Sequence, residues 1–147
     1  MSLLSDCKRW NATLSGFVVM THHFHLVVKP EDSKTITHLM NEIKSNAFER
    51  LSSQLLPYEK GQMKMQAGLG RNQFWKRSFR ANPLYTSEVF QQKLHYLHEN
   101  PVRAGLAEAP EDYFWSSSHI FQQGLCDHYG LIDIPAALEY YQKMRDE

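Results

Sequence analysis

Two histidines one residue apart could bind a metal ion. His23 and His25 lie in the segment HFHLVVK, whose β-branched and aromatic residues predict a strand. Side chains at positions i and i+2 of a strand point to the same face, so both imidazoles can converge on one ion. Imidazole suits Zn, Mn and other transition ions, and it shares a Mg site when oxygen ligands complete the shell. Alone, the pair is a weak signal, because a chain with eight histidines places two this close by chance.

A tyrosine and an asparagine four residues apart form the second candidate pair. Tyr96 and Asn100 lie in LHYLHENPVRAGL, which predicts the end of a helix. Residues at i and i+4 share one helical face, with Cβ atoms about 6 Å apart, so the Asn100 amide oxygen could ligate an ion beside Tyr96. His95 and His98 face elsewhere on this helix. This pair also has an ordinary explanation, because tyrosine is common in cores and interfaces and asparagine before proline stops helices.

Two adjacent strands and a helix are predicted for the first half of the chain. Residues 12–20 and 23–29 are short and rich in β-branched and aromatic residues, which favours strands. A helix is expected to begin near Asp32 or Ser33. Its apolar stripe would contain Ile36, Leu39, Met40, Ile43, Ala47, Phe48 and Leu51. Residues 57–72 show no periodicity and contain three glycines, which predicts a flexible loop.

The second half predicts one strand and three helices. Residues 74–80 alternate apolar with basic or polar residues, as a half-buried strand does. Helices are expected from Thr86 or Ser87 to about Asn100, around 115–122, and from about Pro135 in the acidic C-terminal tail. The first of these should end at Asn100 because Pro101 disfavours a helical residue before it. Ser116 and Ser117 are interpreted as a helix N-cap region, which can also bind phosphate oxygens.

Length and composition favour a single cytoplasmic domain. The 147 residues suit one core spanning 1–147, and 42% of them are hydrophobic, as in globular proteins. No run has the apolar length needed to span a bilayer, and residues 1–20 show no signal-peptide pattern, so no membrane partner is expected. Two isolated cysteines cannot build a disulfide scaffold.

The net charge of zero conceals a polarised chain. Residues 1–106 hold 14 Lys and Arg against 8 Asp and Glu, whereas residues 107–147 hold 2 against 8. This distribution permits a basic face for a polyanion beside a neutral total. On charge alone, two ordinary solvated surfaces are the simpler explanation.

Four sequence blocks in a fixed order resemble one family of DNA-processing enzymes. MTHHFHLVV is similar to the Met-Pro-Asn-His-x-His-Leu-Leu-Val signature of HUH (histidine–hydrophobic–histidine) transposases, with Thr21 and His22 in place of Pro and Asn. FWKRSF, YLHENPVRAGL and PEDYFWSSS are similar to that family's Trp-Gln-x-x-Phe, Tyr-Ile-His-x-Asn-Pro-Val-Arg-Ala-Gly and Pro-x-x-Tyr-x-Trp-Ser-Ser blocks. The resemblance covers roughly 3–121. It points to the single-tyrosine, insertion-sequence-200-like family and to its branch of REP-associated tyrosine transposases.

The resemblance implies a role for each matching residue. Tyr96 would be the nucleophile, and His23, His25 and Asn100 would bind a divalent ion, Mg or Mn. The implied DNA-binding residues lie in or beside the basic, aromatic block and the Asn-Pro-Val-Arg turn: Arg71, Trp75, Lys76, Arg77, Arg80 and Arg103. Core packing is the simpler alternative for the tryptophans of these blocks.

The implied reaction is the nicking and rejoining of single-stranded DNA through a 5′-phosphotyrosine. A divalent ion stabilises charge that develops on the phosphate. The tyrosine hydroxyl, whose free pKa is about 10, gains reactivity from its position and from the ion. The covalent link conserves the energy of the broken bond, so rejoining needs no ATP. Single-stranded or hairpin DNA is the implied partner.

The resemblance also implies an α+β fold, a ferredoxin-like (RRM-like) antiparallel sheet with helices. Family members have a strand and a helix before the stretch that matches Leu3, and this chain is expected to lack them. That strand is central in the family's sheet. Its loss therefore predicts unpaired backbone groups beside the histidine strand and a homodimer that covers them.

Other functions stay open from the sequence. A catalytically inactive nucleic-acid-binding remnant would keep the sheet and the basic patch, and it would bind single strands by aromatic stacking. A structural fragment would have neither activity. A replication initiator or relaxase shares the HUH chemistry, but the segment NPVRAG favours a transposase.

Overall fold

An antiparallel hairpin carries the two histidines. Strand β1 (Thr13–Val19) pairs with β2 (Phe24–Lys29), which confirms both predicted strands. The Met20 N–H closes the turn by donating to the His23 carbonyl at 2.8 Å. The computed structural model describes residues 2–9, 11–30, 35–55, 57, 59, 75–76, 78–127 and 130–146, and within these ranges the sheet has two strands.

The two faces of the hairpin are covered by different helices. In chain order these are α1 (Ser2–Arg9), α2 (Ile36–Gln54), α3 (Ser87–Arg103), α4 (Ser118–Gln122) and α5 (Ile134–Asp146), with a 3-10 turn at Pro110–Asp112. Leu14 and Phe17 of β1 join residues of α1, α2 and α5 in the main core. A bulge between Leu14 and Gly16 allows both side chains to face this core. On the opposite face, Val18 packs against Leu97 of α3.

Helix α2 has a side-chain cap at its start. Thr35 is the N-cap, and its hydroxyl accepts a hydrogen bond from the backbone N–H of His38 at 3.4 Å. The predicted start near Asp32 or Ser33 lies outside the described residues. Of the predicted stripe, three residues are buried (Leu39, Met40 and Ile43), whereas Phe48 and Leu51 are exposed. The core thus covers only the N-terminal half of the stripe.

The strand predicted for 74–80 is wrong for the described part of that segment, which forms no ladder. Its carbonyl groups are bound by a lysine of α2 instead. Lys44 Nζ donates to the carbonyl of Lys76 at 2.8 Å and to that of Ser78 at 3.3 Å, and it lies 5.6 Å from the centre of the Phe79 ring. Most of the predicted loop at 57–72 lies outside the described residues.

Helix α3 ends three residues later than predicted. Thr86 is its N-cap, as the sequence predicts. The helix continues through Pro101 to Arg103, so the predicted end at Asn100 is wrong. Gly105 terminates it in the left-handed conformation, at φ 67°, where its N–H and the next one donate back to carbonyls of the last turn. A glycine in positive φ, and not the proline, therefore ends this helix.

The last helices lie where the sequence predicts them. Helix α4 is shorter than the predicted 115–122, and α5 begins at Ile134 with Pro135 in its first turn. The α+β class and the antiparallel sheet are confirmed. Among the described residues, every helix is too short or too polar to span a lipid bilayer.

C-terminal segments cover the second edge of β1. The Val19 N–H donates to the Trp115 carbonyl at 2.8 Å, and the Ser117 N–H donates to the Phe17 carbonyl at 2.8 Å. Ile132 makes a further bond to β1 at 2.9 Å. Strand β1 is thus hydrogen-bonded along both edges, whereas β2 pairs with β1 alone in the described part of the chain. The homodimer stays a prediction.

Helix α5 is tied to the segment that covers β1. The Tyr141 hydroxyl donates to the Ser116 carbonyl at 2.8 Å, and both residues are buried. Burial raises the pKa of Tyr141 well above its usual range, so the hydroxyl keeps its proton and remains a donor.

Tyr141→Phe should lower the free energy of unfolding by about 1–2 kcal/mol, because it removes the donor to a buried carbonyl. Urea unfolding followed by circular dichroism measures this. Tyr140→Phe is the matched control, since Tyr140 is only partly buried, and it should change the free energy by less than about 0.5 kcal/mol. Equal losses in the two variants would contradict a specific role for the Tyr141 hydroxyl.

Candidate active site

The structure brings the two histidine rings together at the start of β2. The ring centres of His23 and His25 lie 5.0 Å apart with their planes at 89°. His23 is exposed in the turn, whereas His25 is partly buried in the strand. Burial, and secondarily the neighbouring His23, lower the pKa of His25. Both effects favour the neutral imidazole, which is the form that ligates metals.

Helix α3 lies over the same face of the sheet as His25. Val18 is the cross-strand partner of His25, and partners in an antiparallel pair direct their side chains to the same face. Val18 and Met20 pack against Leu97, which follows Tyr96 on α3. The histidine pair and the helix that carries the tyrosine therefore share one side of the sheet.

Tyr96 is accessible and is covered on one side by an arginine. The side chain is 46% exposed. The guanidinium carbon of Arg103 lies 4.9 Å from the centre of the Tyr96 ring, within cation–π distance. Because Arg103 is also exposed, a phosphate that reached the tyrosine hydroxyl would meet a positive charge close by.

The side chain of Asn100 compensates for the proline that follows it. Pro101 has no N–H, so it cannot donate to the Leu97 carbonyl four residues earlier. The Asn100 Nδ2 group donates to that carbonyl at 3.2 Å and to the Tyr96 carbonyl at 2.8 Å. These bonds fix the amide so that its nitrogen faces the helix. Its oxygen is left as an acceptor.

The available donors fit a hard or borderline divalent ion with an open coordination shell. Two imidazole nitrogens and one amide oxygen suit Mn, and they suit Mg when water and phosphate oxygens complete the shell. Within the described residues no group of three or more His, Cys, Asp and Glu side chains could hold a metal ion. Because His23, His25 and Asn100 would supply only three ligands, an ion bound by them would keep positions for substrate oxygens.

The predicted DNA-binding residues fall into separate places. Arg71 and Arg77 lie outside the described residues. Trp75 is partly buried and packs edge-on against Phe24 at 5.4 Å, on the side of the sheet that faces the main core. Lys76 and Arg80 are exposed near α2, whereas Arg103 lies at Tyr96. Of the predicted DNA-binding residues that the structure describes, Arg103 is the one that contacts the tyrosine ring.

The sequence pattern predicts no function for His98, a partly buried residue of α3 next to the site. The Nε2 atom of His98 lies 2.8 Å from Ser117 Oγ. Burial, with a smaller contribution from His95, lowers the pKa of His98 to about 4, so its ring is neutral. Ser117 is the N-cap of α4, which confirms the predicted N-cap region, although it makes no side-chain cap bond. Both Ser116 and Ser117 are fully buried, so they offer no surface for the expected phosphate contact. No spacing in the sequence links His98 to a serine 19 residues away.

The two tryptophans of the sequence blocks, Trp75 and Trp115, differ in solvent exposure. Trp115 is 51% exposed, so the core interpretation is wrong for this residue. Its backbone, and not its ring, holds it on β1. Trp75 fits the core interpretation better, because it is partly buried and packs against Phe24.

Comparison with known proteins identifies the family. Residues 3–100 match the family model described as Transposase IS200 like. The chain belongs to this family. A comparison with curated proteins gave no match. Among solved structures, the transposase is similar to a REP-associated tyrosine transposase bound to a REP hairpin, with 17% identity, a TM-score of 0.58 and coverage of 86% of this chain and 67% of that chain.

These matches bear on different levels of the prediction. The family model confirms the resemblance to IS200-like transposases over the segment that contains both candidate pairs. The structural likeness, at 17% identity, shows a common fold. The roles of the individual residues in this transposase are proposals.

Measurements of the free energy of unfolding can test whether Asn100 replaces the hydrogen-bond donor that Pro101 lacks. Without metal, Asn100→Ala should lower the free energy of unfolding by about 1 kcal/mol, because the Leu97 carbonyl loses its donor. In a Pro101→Ala background the new backbone N–H serves that carbonyl, so the same substitution should cost less. The measurement is urea unfolding, with a metal chelator present, of the unmutated chain, the two single variants and the double variant. The coupling energy between the two substitutions should be at least about 0.5 kcal/mol. Additive losses would mean that Asn100 does not compensate for Pro101.

Proposed function

We propose that this transposase nicks and rejoins single-stranded DNA, with Tyr96 as the nucleophile. One observation carries the proposal: an accessible tyrosine under an arginine lies on the helix that packs over the face of His25. The match to the IS200-like family over residues 3–100 supports it.

In the proposed step, the Tyr96 oxygen forms a bond to phosphorus and the bond from phosphorus to the 3′-oxygen breaks. The tyrosine hydroxyl loses its proton to water, and the departing 3′-oxygen gains one from water. The products are a 5′-phosphotyrosine and a free 3′-hydroxyl. Attack by a 3′-hydroxyl on the phosphotyrosine reverses these bond changes, so strand transfer needs no further energy source.

The chain's own residues position and neutralise the scissile phosphate. Arg103 supplies positive charge beside the Tyr96 ring, where its planar guanidinium can bind phosphate oxygens. His23, His25 and Asn100 would hold a Mg or Mn ion, which when bound stabilises negative charge on the phosphate. Asn100 also binds the carbonyl of Tyr96, so the ligand and the nucleophile are fixed to the same helical turn.

The substrate proposed is single-stranded or hairpin DNA. The structure that shares the fold is of a transposase bound to a REP hairpin. This chain offers exposed cations at Lys76, Arg80 and Arg103, and its sequence adds Arg71 and Arg77. Such a set favours a polyanion through counterion release, which carries little sequence information by itself.

Tyr96→Phe removes only the attacking oxygen, so it should abolish covalent capture of DNA and leave hairpin binding nearly unchanged. The measurement is the denaturation-resistant adduct formed with a labelled single strand and Mn or Mg. Tyr85→Phe is the matched control, since Tyr85 is 87% exposed just before the same helix, and it should form the adduct normally.

An adduct that persists in Tyr96→Phe would assign the reaction to another tyrosine. No adduct in the unmutated chain, together with retained hairpin binding, would favour the catalytically inactive nucleic-acid-binding remnant.

Charge reversal tests where the DNA lies. Lys76→Glu and Arg80→Glu should each weaken hairpin binding and reduce the slope of log affinity against log salt by roughly one for each phosphate that the variant no longer binds. Arg103→Glu should weaken binding and also slow adduct formation. Lys8→Glu is the control, because Lys8 is an exposed cation of α1 and lies outside the predicted DNA-binding set. An unchanged salt slope in Lys76→Glu and Arg80→Glu would place the DNA on the α3 side alone.

A further inference from the structure

His98 lies on the opposite side of α3 from the nucleophile. Two residues along an α-helix correspond to a rotation of about 200°, so the partly buried His98 faces away from the exposed Tyr96. The imidazole packs edge-on against Phe121, with ring centres 5.2 Å apart. Its Nε2 atom lies 2.8 Å from Ser117 Oγ. The inward side of the helix therefore makes a directional polar contact.

Ser117 is itself held firmly on β1. Its Oγ accepts a hydrogen bond from the Phe17 N–H at 2.9 Å and donates to the Phe17 carbonyl at 3.2 Å. The Ser117 backbone N–H donates to that carbonyl at 2.8 Å. With its own proton given to Phe17, the serine oxygen is left to accept from His98 Nε2–H. Ser117 is fully buried, so water does not compete for these bonds.

Apolar contacts also hold α3 on β1. Leu97 packs on Val18, and Leu94 lies directly over Gly16, where an added Cβ would be 2.5 Å from a Leu94 methyl group. Apolar contacts are non-directional, whereas a hydrogen bond constrains both distance and angle. The bond from His98 therefore adds a directional constraint on the rotation of the helix to the non-directional leucine packing.

We infer that His98 and Ser117 act as positioning residues, which set the rotation of α3 and so place Tyr96 and Asn100 relative to the histidine pair. The connection is short: Ser117 is bound to Phe17, the next residue is Val18, and Val18 is the cross-strand partner of His25. The inference rests on the proposed function, because it assigns these two residues a purpose within that site.

The geometry sets the size of the expected effect. Turning a helix by roughly 10° moves an atom about 8 Å from its axis by about 1.4 Å. A displacement of about 1 Å at the reacting atoms can reduce the rate roughly 100-fold. Loss of a residue that orients a metal ligand typically costs about 10- to 100-fold in metal affinity.

Mn affinity of the full chain is the first measurement, because it needs no reaction. His98→Phe keeps the ring contact with Phe121 and removes the hydrogen bond, so it should weaken Mn binding about as much as Asn100→Ala does. The double variant should bind no more weakly than Asn100→Ala alone. His98→Gln, whose amide can reach Ser117, should stay within about threefold of the unmutated chain. His95→Phe is the control, an exposed residue of the same helix.

The second measurement is the rate of adduct formation at saturating Mn and saturating single-stranded DNA. His98→Phe should lower this rate about 10- to 100-fold, while the affinity for the hairpin stays unchanged. If His98→Phe fails to fold, His98→Asn replaces it. The asparagine side chain is too short to reach Ser117, whereas the glutamine side chain of His98→Gln can reach it. The Asn variant should then be slow and the Gln variant near normal.

The outcomes separate this inference from the proposed function. Mn affinity and adduct rate in the His98 variants equal to those of His95→Phe would overturn the positioning role while leaving the site intact. The positioning role would also be overturned if the double variant lost Mn affinity by the product of the two single losses. His98 would then act independently of Asn100. Mn binding that survives the His23→Ala, His25→Ala double substitution would instead refute the metal site, and this inference would fall with it.

Discussion

Strand β1 is bonded along both edges, and each half of the candidate site is attached to it. On one edge it pairs with β2, which places His25 opposite Val18. On the other edge it binds the segment around Ser117, which in turn contacts the helix of Tyr96. A strand that is hydrogen-bonded on both edges is held rigidly. Strand β1 therefore fixes the position of the histidine pair relative to the helix of Tyr96, although the two are far apart in the sequence.

In helix α3, one residue both compensates for a local defect and is a proposed metal ligand. Pro101 removes a backbone donor inside the last turns, and Asn100 supplies the missing bond from its side chain. The amide that serves the helix through its nitrogen has its oxygen free for an ion. The amide nitrogen thus stabilises the helix, and the amide oxygen is the proposed ligand. With this bond the helix extends to Arg103, which lies next to Tyr96.

In the proposed function, different cations serve DNA capture and the reaction. Lys76 and Arg80 are exposed near α2, whereas Arg103 lies on the ring of Tyr96. Cations at a distance from the reacting atoms can attract and hold a polyanion, but only a nearby charge stabilises the transition state of phosphoryl transfer. The neutral rings of His25 and His98 fit this division, because burial favours their uncharged forms.

Short-range spacing determined much of this protein from sequence alone: the two strands, the starts of α3 and α5, the shared face of the histidine pair, and the ordered blocks that indicate the family. These follow from the periods of strands and helices, which are local. Tertiary structure decided the rest. The lysine that binds the carbonyls of residues 76 and 78 and the bond from His98 to Ser117 depend on packing between distant segments. A one-dimensional pattern carries no signal for such contacts, because they arise only when separate elements compete for the same surfaces.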